Sequence, residues 1–153
     1  MRLEQLELHT VISPFHRTSD FLIRGYKPCN DVYTTHLIRD PQLINRLKNE
    51  WAIYPDHLVF LGAKPIILPI DFNTPQLDKI LETLCPPYIF VINDGVYEYK
   101  TVTEAQKYQL RCYFDVISRQ KDSDILSTIN EDQVDQLLAL DTEKYRQKIS
   151  NPM

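Results

Sequence analysis

The chain has 153 residues, 43% hydrophobic and 25% charged, with a formal net charge of −4. That length fits one domain, large enough to bury roughly 70% of the surface its unfolded form exposes. The negative balance disfavours nonspecific nucleic-acid binding, and three glycines in the whole chain argue against a glycine-rich phosphate cradle.

The N-terminal MRLEQLELHT carries charges throughout and no apolar core, so it does not read as a signal peptide. Leu6–Ile12 is expected as a strand or as the tail of a short helix starting near Leu3. Phe21–Tyr26 and Val32–Ile38 are rich in aromatic and β-branched residues and are expected as strands. Asp40-Pro41 is an N-cap followed by proline at the first helical position, which predicts a helix to about Ala52 with Leu43, Ile44, Leu47 and Trp51 as its apolar stripe. Arg39, Arg46 and Lys48, beside Asp40 and Glu50, are expected on its solvated face. Tyr54-Pro55-Asp56 is expected to end that helix.

Leu58–Leu61 reads as a buried strand, broken at Gly62–Pro65. Ile66–Leu68 resumes extended structure at a sheet edge, because Pro65 and Pro69 cannot donate to a ladder. Thr74-Pro75 signals a second helix start, with Leu77, Ile80, Leu81 and Leu84 as its stripe. Tyr88–Asn93 and Val96–Thr101 flank Asp94-Gly95, the pattern of a hairpin with a type I′ turn. Leu58–Leu68, helix and Tyr88–Asn93 are in the order of one β-α-β crossover. Thr103 and Gln106 form a capping box that predicts a helix through about Arg119, with Leu110, Tyr113, Phe114 and Ile117 inward. From Asp122 the chain turns acidic, seven acidic against three basic residues, and Val134, Leu137, Leu138 and Tyr145 give it an amphipathic helix.

The expected fold is a single α+β domain, with mixed α/β as the alternative. It has a roughly five-stranded mixed sheet, the 94–95 hairpin, three flanking helices (41–52, 75–84, 104–119) and a C-terminal helical segment. Residues 1–121 are expected as the core and 122–153 as an acidic segment packed on it or extending from it.

Cys29, Cys85 and Cys112 are odd in number and far apart, which suits free thiols in a reducing, cytoplasmic setting. Cys85 and Cys112 are expected as small buried hydrophobes. No stretch reaches the roughly 18 apolar residues that cross a bilayer. His9, His16, His36 and His57 lack metal-ligand spacing, so no metal or other cofactor is expected. Asp56-His57 is half of an acid–base pair at most, and no nucleophile elbow occurs. No catalytic residue is assigned. Asp94 is read as a turn residue.

Glu98-x-Lys100 on a strand resembles the PD-(D/E)xK nucleases. That resemblance implies Mg²⁺ held with a preceding aspartate, which the Pro86–Phe90 stretch lacks. Glu98 and Lys100 are instead expected to solvate one face of the hairpin. Leu3–Thr10, Leu58-Val59 and the Pro75–Leu84 helix are loosely similar to the psi subunit of the bacterial replicative polymerase, which implies an accessory subunit of a larger assembly.

The composition itself favours a non-catalytic protein-binding module, such as an immunity or inhibitor protein that neutralises a basic partner. Nine tyrosines suit recognition surfaces. Tyr97 and Tyr99 are the expected anchors, and Glu131, Asp132 and Asp135 the expected acidic contacts. The remaining alternative is an enzyme with dispersed site residues, for which a nuclease is the nearest class.

Overall fold

The computed structural model describes residues 15–121, 124–137 and 139. Four strands appear in chain order: Tyr26–Pro28 (β1), Ile67–Leu68 (β2), Tyr88–Val91 (β3) and Gly95–Tyr99 (β4). The helices are Thr18–Leu22 (α1), Val32–Arg39 (α2), Pro41–Asn49 (α3), Pro55–Leu61 (α4), Thr74–Thr83 (α5), Glu104–Ser118 (α6) and Glu131–Leu137 (α7). The chain divides into two units. Of the described residues, 15–44 and 66–102 belong to the first, and the remainder to the second. The acidic segment expected from 122, packed on the core or extending from it, contributes 124–137 to the second unit and otherwise lies largely outside the described residues, as does the element expected at Leu6–Ile12.

The fold is mixed helix and sheet. The described sheet has four strands where about five were expected, in the order β1-β4-β3-β2. β4 pairs antiparallel with both β1 and β3, while β2 runs parallel to β3 across α5. β2 is an edge strand, as Pro65 and Pro69 require. One sheet face carries Tyr26, Tyr97, Ile89, Val91 and Leu68, which pack with Phe21, Phe72 and Leu77 into a core. Phe21 stacks on Tyr97 with ring centroids 4.0 Å apart. Arg17 ties α1 down by donating to the carbonyls of Ile70 and Phe72 (2.8 and 2.7 Å). On the other face, α2 lies against β4.

Three expected strands are corrected. In Phe21–Tyr26, Phe21 and Leu22 form the end of α1, and extended backbone begins only at Tyr26. Val32–Ile38 is helical: Thr34, Leu37 and Ile38 form a buried stripe at i, i+3, i+4, and packing overrides the β-branched composition. Leu58–Leu61 is the end of α4. Pro55 starts that helix, and Gly62 ends it at φ 95, the usual place for proline and glycine at helix ends. The other helix starts hold. Asp40 Oδ1 accepts from Gln42 N (2.8 Å), and the Thr103–Gln106 capping box is complete. For α5 the cap is Asn73, one residue earlier than expected, whose Oδ1 accepts from Gln76 N (2.9 Å).

The hairpin is present, but its turn is not the expected one. Val91 pairs with Gly95, so Ile92-Asn93-Asp94 is a three-residue loop. Asn93 takes the left-handed conformation (φ 62), and Gly95 does not have a positive φ. Gly95 is needed for space, since a Cβ there would overlap the Phe15 ring. Asp94 is fully buried. Its Oδ2 accepts from the Tyr97 hydroxyl (2.6 Å), its Oδ1 from His16 N, and its carbonyl from Phe15 N (3.1 Å).

Gly95→Ala is expected to cost about 1–3 kcal/mol through overpacking. Combining it with Phe15→Ala should recover part of that loss relative to the sum of the two single changes. Strictly additive urea-unfolding energies would show that contact with Phe15 is not the cause.

Candidate functional site

The pairing Lys27↔Glu98↔Tyr88 sets three polar side chains in a row across β1, β4 and β3, on the face opposite the aromatic core. Lys27 is exposed, and its Nζ lies 3.9 Å from Glu98 Oε2. Glu98 is only 6% exposed, which corrects the expectation that it solvates the hairpin. The environment is that of a sheet face under α2, where the sequence alternation alone gave no sign of cover. Just past β1, Cys29 is buried and its thiol contacts Asp31 Oδ2 (3.6 Å). Burial pushes that thiol up to about 12, and Glu98 adds to the effect, so Cys29 is a neutral donor and not a thiolate nucleophile. Asp31 is the N-cap residue of α2, yet its side chain makes no capping hydrogen bond. The buried Tyr88 hydroxyl has no hydrogen-bond partner among the described residues. Burial, with Tyr33, Cys29, Glu98 and Asp31 nearby, raises its pKa. An unsatisfied buried hydroxyl costs roughly 1–3 kcal/mol.

The remaining expected site residues divide. Tyr97 is fully buried and hydrogen-bonded to Asp94, so it anchors the core and offers no partner surface. Tyr99 is half-buried, 5.0 Å from the Tyr26 ring. Lys100 is exposed just beyond β4, its Nζ 5.9 Å from the Tyr99 ring centroid. Glu131 opens α7, and Asp132 and Asp135 are exposed on it. Tyr97 and Tyr99 belong to the first unit, and the three acidic residues to the second. Cys29, Cys85 and Cys112 are free thiols. Cys85 is exposed, against expectation, and Cys112 is half-buried.

The second unit has two buried polar nodes that the sequence did not reveal. Arg46 and Glu50, expected on a solvated face, are 8% and 9% exposed and paired at 2.6 Å. Arg46 Nη2 donates to the carbonyls of Lys121 and Asp124 (2.6 and 2.9 Å), and Glu50 Oε2 accepts from Leu126 N (3.0 Å). The Tyr113 hydroxyl donates to the Glu50 carbonyl (2.9 Å). This node therefore fastens residues 121–126 to the end of α3. Their i, i+4 spacing was the one available signal. The second node is His57, boxed by the rings of Trp51 (4.2 Å), Tyr113 (4.6 Å) and Tyr54 (5.6 Å). Neither imidazole nitrogen has a hydrogen-bond partner among the described residues. Burial lowers its pKa to about 3, so it is neutral and poorly suited to exchanging a proton near pH 7.

No three His, Cys, Asp or Glu side chains among the described residues are placed to hold a metal ion. No described helix is long and apolar enough to cross a membrane. Comparison with protein-family models, with curated protein sequences and with solved structures finds no match to this chain.

Arg46→Ala leaves Glu50 buried and unpaired, and is expected to destabilise the protein by about 3–5 kcal/mol. Hydrogen exchange at the Leu126 amide should quicken with it. A loss within 1 kcal/mol (roughly the value of a solvated pair) contradicts the buried clamp.

His57 titrates near 6.5 when unfolded and near 3 when folded, so the unfolded chain binds the extra proton between those values. The stability contribution is therefore complete above pH 6.5 and falls with pH, by about 2 kcal/mol at pH 5. In His57→Phe the pH 7 to pH 5 loss should shrink by that amount in urea unfolding. An unchanged pH dependence rejects the buried neutral imidazole.

Proposed function

We propose that the protein is a non-catalytic binding module that docks on a basic protein, in the manner of an immunity or inhibitor protein. The observation that carries the reading is the 124–137 stretch. It holds Asp124, Glu131, Asp132 and Asp135 and no basic residue. Asp132 and Asp135 are exposed, and so is Ile125, at 87%. Single-sign charge draws in a partner of the opposite sign from a distance, and a large exposed aliphatic side chain supplies an anchor that water does not favour. Tyr99, half-buried in the first unit, is a further anchor. An accessory subunit of a larger assembly would use the same acidic surface, and the identity of a captured partner separates the two roles. A cytoplasmic location fits the exposed free thiol of Cys85, which an oxidising compartment would not leave reduced.

The test is charge reversal at Glu131, Asp132 and Asp135 together, with association to the captured partner followed by stopped flow. The reading predicts an association rate at least about tenfold slower at low salt, a difference that shrinks as salt is added, and a nearly unchanged melting temperature. Association indifferent to the reversal removes the main support for acidic docking.

A further inference from the structure

The acidic stretch of the second unit is held at its start by its backbone and not by its acidic side chains. The described residues between Lys121 and Asn130 form neither helix nor strand. Lys121 and Asp124 close a turn, in which Asp124 Oδ2 accepts from Lys121 N and the Lys121 carbonyl accepts from Asp124 N (2.9 Å each). Arg46 Nη2 donates to the carbonyls of Lys121 and Asp124, and Glu50 Oε2 accepts from Leu126 N. The Ala52 carbonyl then accepts from Ile129 N (3.0 Å). Ala52 takes the left-handed conformation (φ 56) to do so, an uncommon one for a residue with a Cβ. Leu126 and Ile129 are half-buried, while Ser127 and Thr128 are exposed. This strap leads straight into α7, where Asn130 Oδ1 accepts from Gln133 N and Gln133 Oε1 from Asn130 N (2.8 and 3.1 Å). α7 has seven residues and lies against α4. A helix of that length does not persist alone in water, so α7 depends on the strap and on α4.

We propose that Arg46 and Glu50 are positioning residues for the docking surface: they clasp the 121–130 strap, and strap and α7 open and close as one unit. The role in docking rests on the reading that the 124–137 stretch is the docking surface. Arg46 and Glu50 pair at i, i+4 on the end of α3, so release of the strap does not break the pair. Both charges return to water, which takes over the hydrogen bonds of the strap, and the desolvation of the pair is relieved. Release therefore lies at the low end of the opening energies that one structure contains. Once released, α7 loses its packing on α4 and with it the helix. Asp132 and Asp135, three positions apart on one helical face, then lose their common direction. A partner that meets the open form must order the stretch before using it, which weakens binding. By linkage, a cation bound to the acidic face of the closed form holds the clasp shut.

The experiment is amide hydrogen exchange on the full chain, natural and with Arg46→Met and Glu50→Leu together, using octa-arginine as the cationic probe. Exchanging a buried pair for apolar side chains of similar size spares the fold, since no lone charge is left behind. The Leu126 amide loses its acceptor directly. The Ile129 amide, on the Ala52 carbonyl, and the Val134 amide, on the Asn130 carbonyl (2.9 Å), are bonded to neither substituted residue. The proposal predicts that all three quicken by a common factor, at least about tenfold, while the amides of α6 keep their rates. Ile129→Ala, acting from the other end of the strap, should quicken the Leu126 and Val134 amides together. Octa-arginine should slow all three in the natural chain and bind the double variant severalfold more weakly. Quickening of Leu126 alone makes the pair a local bond, quickening that spreads through α6 makes it a general support of the unit, and either overturns the proposal. Octa-arginine that binds both chains equally overturns the positioning role and leaves the docking reading standing. Octa-arginine that binds neither removes the docking reading and the positioning role with it, while a common factor at the three amides still supports the strap and α7 as one opening unit.

Discussion

A carboxylate taken out of water must be met by donors, and this constraint organises both units of the chain. Asp94, Glu50 and Glu98 are all less than 10% exposed. A buried unpaired charge is costly enough that the surrounding chain is arranged around it. Asp94 collects the Tyr97 hydroxyl and the His16 amide, and thereby fixes the chain entering α1 against the hairpin loop. Glu50 collects Arg46 and the Leu126 amide, and fixes the segment after α6. In each case the carboxylate joins residues more than 70 positions apart in sequence.

Glu98 is different in kind. Its contact with the exposed Lys27 is a long one, 3.9 Å, and the hydroxyl of its cross-strand neighbour Tyr88 has no hydrogen-bond partner among the described residues. Native structures leave few buried polar groups unmatched, and such a group calls for an explanation. The acidic, basic-free run at 124–137 gives the second unit its own attraction for positive charge.

The sequence made some of this legible. Punctuation by proline, aspartate and threonine located α3, α5 and α6, because caps act locally and leave a local trace. The Tyr88–Tyr99 hairpin was legible from its two β-rich runs, although the loop is one residue longer and Asn93 takes the left-handed conformation. The failures share a cause. Val32–Ile38 and Leu58–Leu61 have strand composition, and only tertiary packing makes them helical. For the second, Pro55 and Gly62 are its start and stop, but in sequence they fit equally the end of one element and the break of another. The buried roles of Arg46, His57, Glu98 and Tyr97 had almost no sequence signal, since burial of a polar side chain depends on partners distant in the chain. Of the residues expected at a binding surface, Asp132, Asp135 and Tyr99 keep solvent access and Tyr97 does not.

The most direct measurement is amide hydrogen exchange on the full chain with and without a saturating arginine-rich peptide. The account predicts slowed exchange at residues 124–137, with no change around His57. Protection centred on the His57 box, or none at 124–137, contradicts it.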